Sequence, residues 1–204
     1  MPEPRAGLGA VVLAAGASDR MGEPKALLHS PALAEGCLLV DQIARLLTAG
    51  CVRVAVVLGA DAERIEAALG PLDSRIIVCR NRDWRRGSFS SLQIGLAALG
   101  PHPGGTLVLP VDVPGVPSEA MARLAPHEGE VPDAVVPVNG GRGGHPVWLS
   151  PPLAARVLRE APTARLDRLL AACNVLRIEV DDRHVRENVN TPEDWARFLR
   201  ESGA

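Results

Sequence analysis

The sequence VVLAAGASDRMGEPK occupies residues 11–25 and overlaps a predicted strand at Leu8–Leu13. A loop of small residues around Gly16 follows the strand, and the cations Arg20 and Lys25 come next. Small side chains let a backbone approach a ligand, and Gly16 can adopt a positive φ at little cost. Free backbone amides after a strand form a nest for anions, which fixed cations reinforce. The stretch predicts a loop that binds a polyphosphate, although a Gly/Ala turn alone is more often a plain connection.

The remaining apolar segments alternate between two periodicities. Runs rich in β-branched residues predict further strands, and apolar residues at helical spacing predict helices between them. The predicted strands are Cys51–Leu58, Arg75–Cys79, Thr106–Val111, Asp133–Val138 and Val175–Val180. This order predicts right-handed parallel β-α units in an α/β fold, and the length of 204 residues predicts one domain over residues 1–204.

Composition excludes several classes of protein. The chain has 22 basic and 24 acidic residues, and its aromatic residues are three Trp and two Phe. A nucleic-acid-binding surface is therefore not expected from either charge or stacking groups. The four cysteines lack CxxC spacing, and no apolar run reaches the ~20 residues that span a bilayer. We expect a cytoplasmic protein with buried thiols and without nucleic-acid or membrane partners.

The opening motif carries a family resemblance. LAAGxSxRMGxxK, from Leu13 to Lys25, resembles the opening motif of nucleotidyltransferases with a Rossmann-like catalytic domain. It is most similar to the molybdenum cofactor cytidylyltransferase branch, because guanylyl relatives usually read LAGG and sugar-phosphate relatives GxGTR. The resemblance implies a three-layer α/β/α fold with a mostly parallel sheet, and catalytic roles for Arg20 and Lys25. The nucleotide-binding residues that it implies here are Leu13, Ala14, Ala15, Gly16, Ser18 and Lys25. The methyl group of Ala15 predicts less room for a purine than for cytosine.

A second motif spans residues 81–92. Serines before an apolar helix usually cap it, which would account for one of the three serines here. The pattern N-x-x-W-x-x-G-x-x-x-S-L resembles a cytidylyltransferase segment that borders the nucleotide. By that resemblance Asn81, Gly87 and Ser91 bind the nucleotide, whereas Trp84 could equally lie at the edge of the core.

Asp112 follows a very apolar predicted strand. The carboxyl ends of strands in open α/β sheets are where ligands bind, and Mg²⁺ is commonly held by one or two carboxylates with substrate phosphates and waters. We therefore interpret Asp112 as a ligand of Mg²⁺, with capping of a helix near Pro117 as the alternative. The D-x-P pattern at Asp112–Pro114 matches the same family.

A glycine cluster at residues 139–147 predicts a hairpin turn. The pattern G-x-x-G-H-P-V within it resembles the family's turn that faces the acceptor substrate. The resemblance therefore implies that Gly144, His145 and Pro146 bind the acceptor. A lone histidine is often structural, so a direct role for His145 stays open.

A helix start follows the last predicted strand. Thr191 at the N-cap, Pro192 at the first position and Asp194 at the third form a complete capping pattern. In the cytidylyl branch an acid usually precedes this Thr near the metal, whereas Asn190 stands here, as it tends to in guanylyl relatives. An amide oxygen can still bind Mg²⁺, so we assign Asn190 as a second metal ligand.

The resemblance implies an Mg²⁺-dependent nucleotidyltransferase. The terminal phosphate of molybdopterin would attack CTP at its α-phosphorus and release pyrophosphate, and a molybdoenzyme could receive the product. The alternatives are a guanylyltransferase using GTP, a sugar-phosphate nucleotidyltransferase, and a non-catalytic module that hands the cofactor on.

Overall fold

The computed structural model describes residues 7–33, 36–126 and 132–202. Its strands are β1 (Gly9–Ala14), β2 (Arg53–Leu58), β3 (Ile76–Arg80), β4 (Thr106–Pro110), β5 (Ala134–Asn139), β6 (Arg142–Gly143), β7 (Val147–Leu149) and β8 (Val175–Glu179). Its α-helices are α1 (Leu38–Thr48), α2 (Ala62–Leu69), α3 (Ser88–Leu99), α4 (Ser118–Arg123), α5 (Pro151–Val157), α6 (Leu166–Leu170) and α7 (Pro192–Glu201). Three short 3₁₀ turns lie at Lys25–Leu27, Trp84–Arg86 and Arg183–Arg186. The predicted strands are all present, with ends displaced by at most two residues.

The strands form one mixed sheet. Strands β3, β2, β1 and β4 are adjacent and parallel in that order, and β7 joins β4 to β5 in the antiparallel direction. Strand β8 runs parallel to β5, and β6 pairs with β5 in a hairpin. The expectation of a mostly parallel sheet is confirmed. The chain leaves β1 towards β2 and β3 and returns to β4 on the opposite side, which creates a topological switch point between β1 and β4.

Alternate residues of the central strands face two separate cores. In β1, Ala10 and Val12 pack with α1, α2 and α4, whereas Val11 packs with α3, α5 and α6 on the other face. This alternation follows from the two-residue period of a strand, and both faces are apolar because both are covered by helices. The three-layer α/β/α arrangement is thereby confirmed for the described part of the chain.

One prediction about a helix start and one about cysteines were wrong in detail. Helix α3 begins after Gly87 without a side-chain cap, because Ser90 and Ser91 are buried and bonded elsewhere. Asp61 stands before α2 in a left-handed conformation, and its side chain does not cap that helix. Only Cys51 is fully buried; the other three thiols are partly exposed. None of the helices in the described ranges combines the length and apolar character needed to cross a bilayer.

Candidate active site

The loop after β1 is closed by its own hydrogen bonds. The Ser18 carbonyl accepts from Met21 N at 2.8 Å, and the Ser18 hydroxyl accepts from Lys25 N at 3.1 Å. The positive φ that a glycine such as Gly16 could adopt at little cost occurs in this loop at Ser18, at 57°. These two hydrogen bonds offset the strain of a left-handed non-glycine residue. A Cβ built on Gly16 would meet no described atom within 4 Å, so this glycine leaves space beside the loop.

Ala15 packs against the loop that follows β2. Its carbonyl accepts from Ala60 N at 3.1 Å, and a Cβ on Gly59 would lie 2.9 Å from the Ala15 methyl group. Ala15 is therefore only 6% exposed. Most of its methyl surface is covered by protein, which leaves less of it to contact a base than the sequence had suggested.

Three distant segments meet at Lys25. Its ammonium nitrogen lies 2.8 Å from Asn190 Oδ1 and 3.4 Å from Asp112 Oδ2. Arg20 Nη2 donates to the same Asn190 oxygen at 3.2 Å. The Lys25 and Asp112 side chains are 12% and 28% exposed, so their attraction is only partly screened by water. The structure thus brings together the four residues that we predicted as catalytic or metal-binding.

Asp112 lies in a tight turn at the carboxyl end of β4. Val113 N donates to the Pro110 carbonyl at 3.2 Å, and Val189 N donates to the Asp112 carbonyl at 2.8 Å. Helix α4 starts six residues later, at Ser118, and no described side chain caps it. The capping alternative for Asp112 therefore fails, and its carboxylate is free to face the site.

Asn190 is held by the start of α7. The Asp194 carboxylate accepts from Asn190 N at 3.0 Å and Thr191 N at 3.1 Å, and the Thr191 hydroxyl accepts from Asp194 N at 3.2 Å. The hydrogen bond from Asn190, followed by Arg197 and Thr191, lowers the pKa of Asp194. The predicted capping box is confirmed. The same hydrogen bonds hold Asn190, whose side chain contacts Lys25. The capping of α7 by Thr191 and Asp194 is therefore compatible with a place for Asn190 in the site.

A small apolar cluster joins α7 to the β1 loop. Met21 and Leu28 from the loop side pack with Val189 and Phe198, and Leu38 at the start of α1 completes the group. This cluster, which is separate from the two main cores, packs the residue before Asn190 against the opening motif.

The donor atoms fit a magnesium ion that arrives with phosphate. Asp112 and Asn190 supply hard oxygen donors, but the described residues contain no group of three or more His, Cys, Asp or Glu that could hold a metal. Mg²⁺ characteristically uses one or two protein oxygens and completes its octahedron with phosphate oxygens and water. These two residues therefore match such an ion only when a substrate contributes the remaining ligands.

A cavity of about 610 Å³ lies beside this cluster, at the switch point between β1 and β4. It contains most of the residues that we predicted for the nucleotide, the metal and the acceptor. Those residues are Leu13, Ala15, Gly16, Ser18, Lys25, Gly87, Ser91, Asp112 and His145. Arg20 and Asn190 line an adjoining cleft of about 250 Å³ together with Ser18, Asp19 and Lys25. Ala14 is the buried last residue of β1 and does not line either space.

Asn81 lies behind the cavity wall. Its amide nitrogen donates to Ser90 Oγ at 3.0 Å and Ser91 Oγ at 2.9 Å, and its amide oxygen accepts from Asp83 N at 2.9 Å. Ser90 in turn donates to the Gly87 carbonyl at 2.8 Å. The bonds to and from the serines connect Asn81 to the turn at Gly87, so Asn81 supports the cavity wall and does not line the cavity itself.

The three predicted acceptor residues also differ in whether they line the cavity. The Gly144–Pro146 segment interrupts the pairing with β5 between β6 and β7. A Cβ on Gly144 would lie 2.0 Å from the Val185 carbonyl oxygen, so glycine is required for this close approach. Only His145 lines the cavity, and burial lowers the pKa of its imidazole despite the nearby Asp112 carboxylate. Pro146 is buried.

Ten further residues line the cavity without having been assigned to it from the sequence. They are Trp84, Arg85, Ser88, Phe89, Leu92, Val108, Pro110, Val111, Leu166 and Asn188. The Arg85 guanidinium lies 4.3 Å from the centre of the Trp84 ring, in a cation–π contact. The motif at residues 81–92 did not decide whether Trp84 lies at the nucleotide site or at the edge of the core. Asn188 lies two residues before Asn190. Leu166 carried no motif at all, since only the packing of α6 brings it to the cavity.

Comparison with known proteins identifies the family. The family model described as "MobA-like NTP transferase domain" matches residues 10–179. The nicotine blue oxidoreductase of Paenarthrobacter nicotinovorans is 34% identical over 201 residues, covering 93% of this chain and 95% of that protein. A probable molybdenum cofactor guanylyltransferase of Bacillus cereus is 29% identical over 205 residues, covering 94% of this chain and 95% of that protein.

A solved structure extends the likeness to the whole fold. Rv0371c of Mycobacterium tuberculosis superposes with a TM-score of 0.78 at 25% identity, covering 96% of this chain and 98% of that chain. A manganese complex of the same protein superposes with a TM-score of 0.74 at 24% identity, covering 96% and 99% of the two chains. The chain therefore belongs to the MobA-like NTP transferase family and is a nucleotidyltransferase.

Proposed function

We propose that this protein transfers CMP from CTP to the terminal phosphate of a molybdopterin-type acceptor and releases pyrophosphate. The observation that carries the proposal is the convergence of Lys25, Asp112 and Asn190 beside the β1 loop, with Nζ–oxygen distances of 3.4 and 2.8 Å. A cation next to two hard oxygen donors suits a triphosphate bound with a divalent metal.

The reaction is an in-line displacement in which the residues position the reactants and neutralise charge. An oxygen of the acceptor phosphate forms a bond to the α-phosphorus, and the bond to the bridging oxygen of the β-phosphate breaks. Backbone amides of residues 14–18 hold the triphosphate, while Lys25 and Arg20 balance its charge. Mg²⁺ held by Asp112 and Asn190 would supply further charge neutralisation. His145 would face the acceptor, and Gly144 would hold its turn against Val185.

The choice of base rests on Ala15, which stands where guanylyl relatives usually have glycine. GTP is the alternative nucleotide, because relatives that cover nearly the whole chain are named guanylyltransferases. Asn190 also matches the guanylyl pattern. A sugar-phosphate acceptor would use the same phosphate-handling residues.

Oxidation–reduction is a second candidate function because of the 34% identity to nicotine blue oxidoreductase. The site residues favour phosphate chemistry over it. The β1 loop lacks the GxGxxG pattern that positions a dinucleotide pyrophosphate, and it supplies the cations Arg20 and Lys25 instead.

The test is a transfer assay with CTP, GTP, ATP and UTP, each labelled at the α-phosphate, with Mg²⁺ and molybdopterin. We expect label in the acceptor product, most of it from CTP, and release of pyrophosphate. Asp112→Asn should remain folded and lose about 10²–10³ in rate. Transfer of label from none of the four nucleotides by folded protein would overturn the proposal. Binding without transfer would favour the non-catalytic module, and reduction of an organic dye with NADH or NADPH would favour the oxidoreductase.

A further inference from the structure

Gln42 is a polar residue inside an apolar helix face. It lies in α1 between core residues such as Leu39 and Leu46 and is only 1% exposed. Burying an amide costs free energy unless hydrogen bonds replace those made with water. A leucine or methionine would fill the same space without that cost, but neither could donate the hydrogen bonds that the amide makes.

The Gln42 amide points at the turn that carries Asp112. Its Nε2 lies 2.9 Å from the Val113 carbonyl oxygen, 3.2 Å from that of Val111 and 3.3 Å from that of Pro110. These three carbonyls flank Asp112 on both sides. Gln42 Oε1 has no hydrogen-bond partner within the described ranges, so the donor end of the amide makes these contacts.

The contact spans the turn that follows the end of β4. Asp112 follows the end of β4, where the regular pairing with β1 stops at Pro110. The carbonyls of Pro110, Val111 and Val113 point to one donor, and the Asp112 carbonyl is taken by Val189 N at 2.8 Å. The backbone is thus held on both sides of Asp112, from α1 and from the segment that carries Asn190.

We propose that Gln42 is a positioning residue that sets the direction of the Asp112 carboxylate. It does not line either space of the site, so it acts on substrate only through Asp112. The inference deepens the proposed function and rests on it for its catalytic part. Groups that orient metal ligands from behind typically change metal affinity or activity by about 10–100-fold when removed.

Two variants test the hydrogen bonds that the Gln42 amide donates. Gln42→Met keeps the length of the side chain and removes its hydrogen bonds. Gln42→Glu keeps the shape but places carboxylate oxygens against three carbonyls, so its effect should be at least as large. Ile43→Ala is the matched control, because it removes buried surface from the same helix but removes no hydrogen bond to the turn.

The first measurement is amide hydrogen exchange on the full chain, which does not depend on activity. We expect Gln42→Met to reduce protection of the Val113 and Val189 amides by about tenfold or more, whereas Ile43→Ala leaves them unchanged relative to other amides. Exchange at Val113 and Val189 that matches the control would overturn the inference.

The second measurement separates positioning from loss of stability. With Mg²⁺ and CTP, Gln42→Met should lower kcat by about 10–100-fold, with the KM for CTP changed less than about threefold. Binding of Mn²⁺ in the presence of CTP, followed by electron paramagnetic resonance, should weaken in parallel. If the wild type transfers no nucleotide, the proposed function fails, while the exchange and Mn²⁺ measurements still decide the role of Gln42. Unchanged Mn²⁺ binding together with unchanged kcat would reject the positioning role of Gln42.

Discussion

The ammonium nitrogen of Lys25 lies 2.8 Å from the amide oxygen of Asn190, although 165 positions separate the two residues. Arg20 Nη2 donates to the same oxygen at 3.2 Å, and Asp112 Oδ2 lies 3.4 Å from the ammonium nitrogen. The opening motif, the end of β4 and the start of α7 therefore meet at one cation. Lys25 is also the only lysine in the sequence, so chemistry directed at lysine reports on this site.

Asn190→Asp should lower the Mg²⁺ requirement. A second carboxylate beside Asp112 attracts a divalent cation more strongly, and an added charge at about 4 Å is worth several kcal/mol at an effective dielectric constant of about 20. Competition from Lys25 reduces the gain, so we expect half-maximal rate at about tenfold less Mg²⁺. The measurement is a Mg²⁺ titration at saturating nucleotide. Asn188→Asp adds the same charge nearby and is the control; an equal effect in both variants would assign the gain to general electrostatics.

Lys25 should respond directly to nucleotide. Reductive methylation with ¹³C-formaldehyde labels Lys25 and the chain terminus, and we expect the Lys25 methyl resonance to shift when CTP is added. Lys25→Ala should weaken nucleotide binding and reduce turnover by about 10²–10³, as removal of one preorganised donor commonly does. Arg165→Ala removes an exposed cation paired with Asp167 and should leave both readouts unchanged. A methyl resonance indifferent to nucleotide would place the triphosphate elsewhere.

Arg20→Lys should be harmful although it keeps the charge. The planar guanidinium can bind phosphate with two parallel hydrogen bonds while it contacts Asn190, and a compact ammonium cannot reproduce both contacts. We expect steady-state kcat/KM to fall at least tenfold in Arg20→Lys, and further in Arg20→Ala. Wild-type kinetics in Arg20→Lys would show that only the charge matters.

Ala15→Gly should reduce the preference for CTP over GTP. A methylene-sized difference in a pocket is worth ~1–3 kcal/mol, and Ala15 is only 6% exposed, so the lower end applies. We expect the wild type to prefer CTP by about tenfold in kcat/KM, and the variant to approach equality. Ala17→Gly adds the same backbone freedom in the same loop and should not change the ratio. A wild-type preference for GTP would favour guanylyl transfer.

Asp194→Ala should destabilise the protein more at neutral than at acid pH. Hydrogen bonds from Asn190 and Thr191 and the charge of Arg197 lower the pKa of Asp194 in the folded state. The stabilisation is therefore present above the ordinary carboxyl pKa of about 3.9 and is lost as pH falls through the lower, folded value. We expect a loss of about 1 kcal/mol in the free energy of unfolding at pH 7, typical of a helix cap, and a smaller loss near pH 3. Chemical denaturation at both pH values provides the check, with Glu193→Ala as the neighbouring control. An equal loss at both values would mean that the carboxylate charge is irrelevant.

The order of strands and helices was predictable because it depends on local patterns. Runs of β-branched residues, helical spacing and the Thr191–Asp194 capping pattern each lie within a few residues of one another, and they appear in the structure close to where they were expected. Gly16 and Lys25 likewise belong to one short motif, and both line the cavity as that motif predicts. The left-handed angle at Ser18 was missed, since it depends on hydrogen bonds to Met21 and Lys25 that only the folded loop makes.

The tertiary structure alone decided which buried amides support the site and which distant residues contact each other in it. Asn81 and Gln42 are both amides near apolar segments, yet one supports the turn at Gly87 and the other the turn at Asp112. Nothing in the sequence near Lys25 indicates Asn190 as its partner, because their contact follows from the pairing of β1 with β4 and from the small apolar cluster around Met21 and Val189. Local sequence selects a helix or a strand through backbone preference and periodicity. Contacts between distant residues depend on how those elements pack, and rotation of one element by a single residue would turn a side chain from the site into the core.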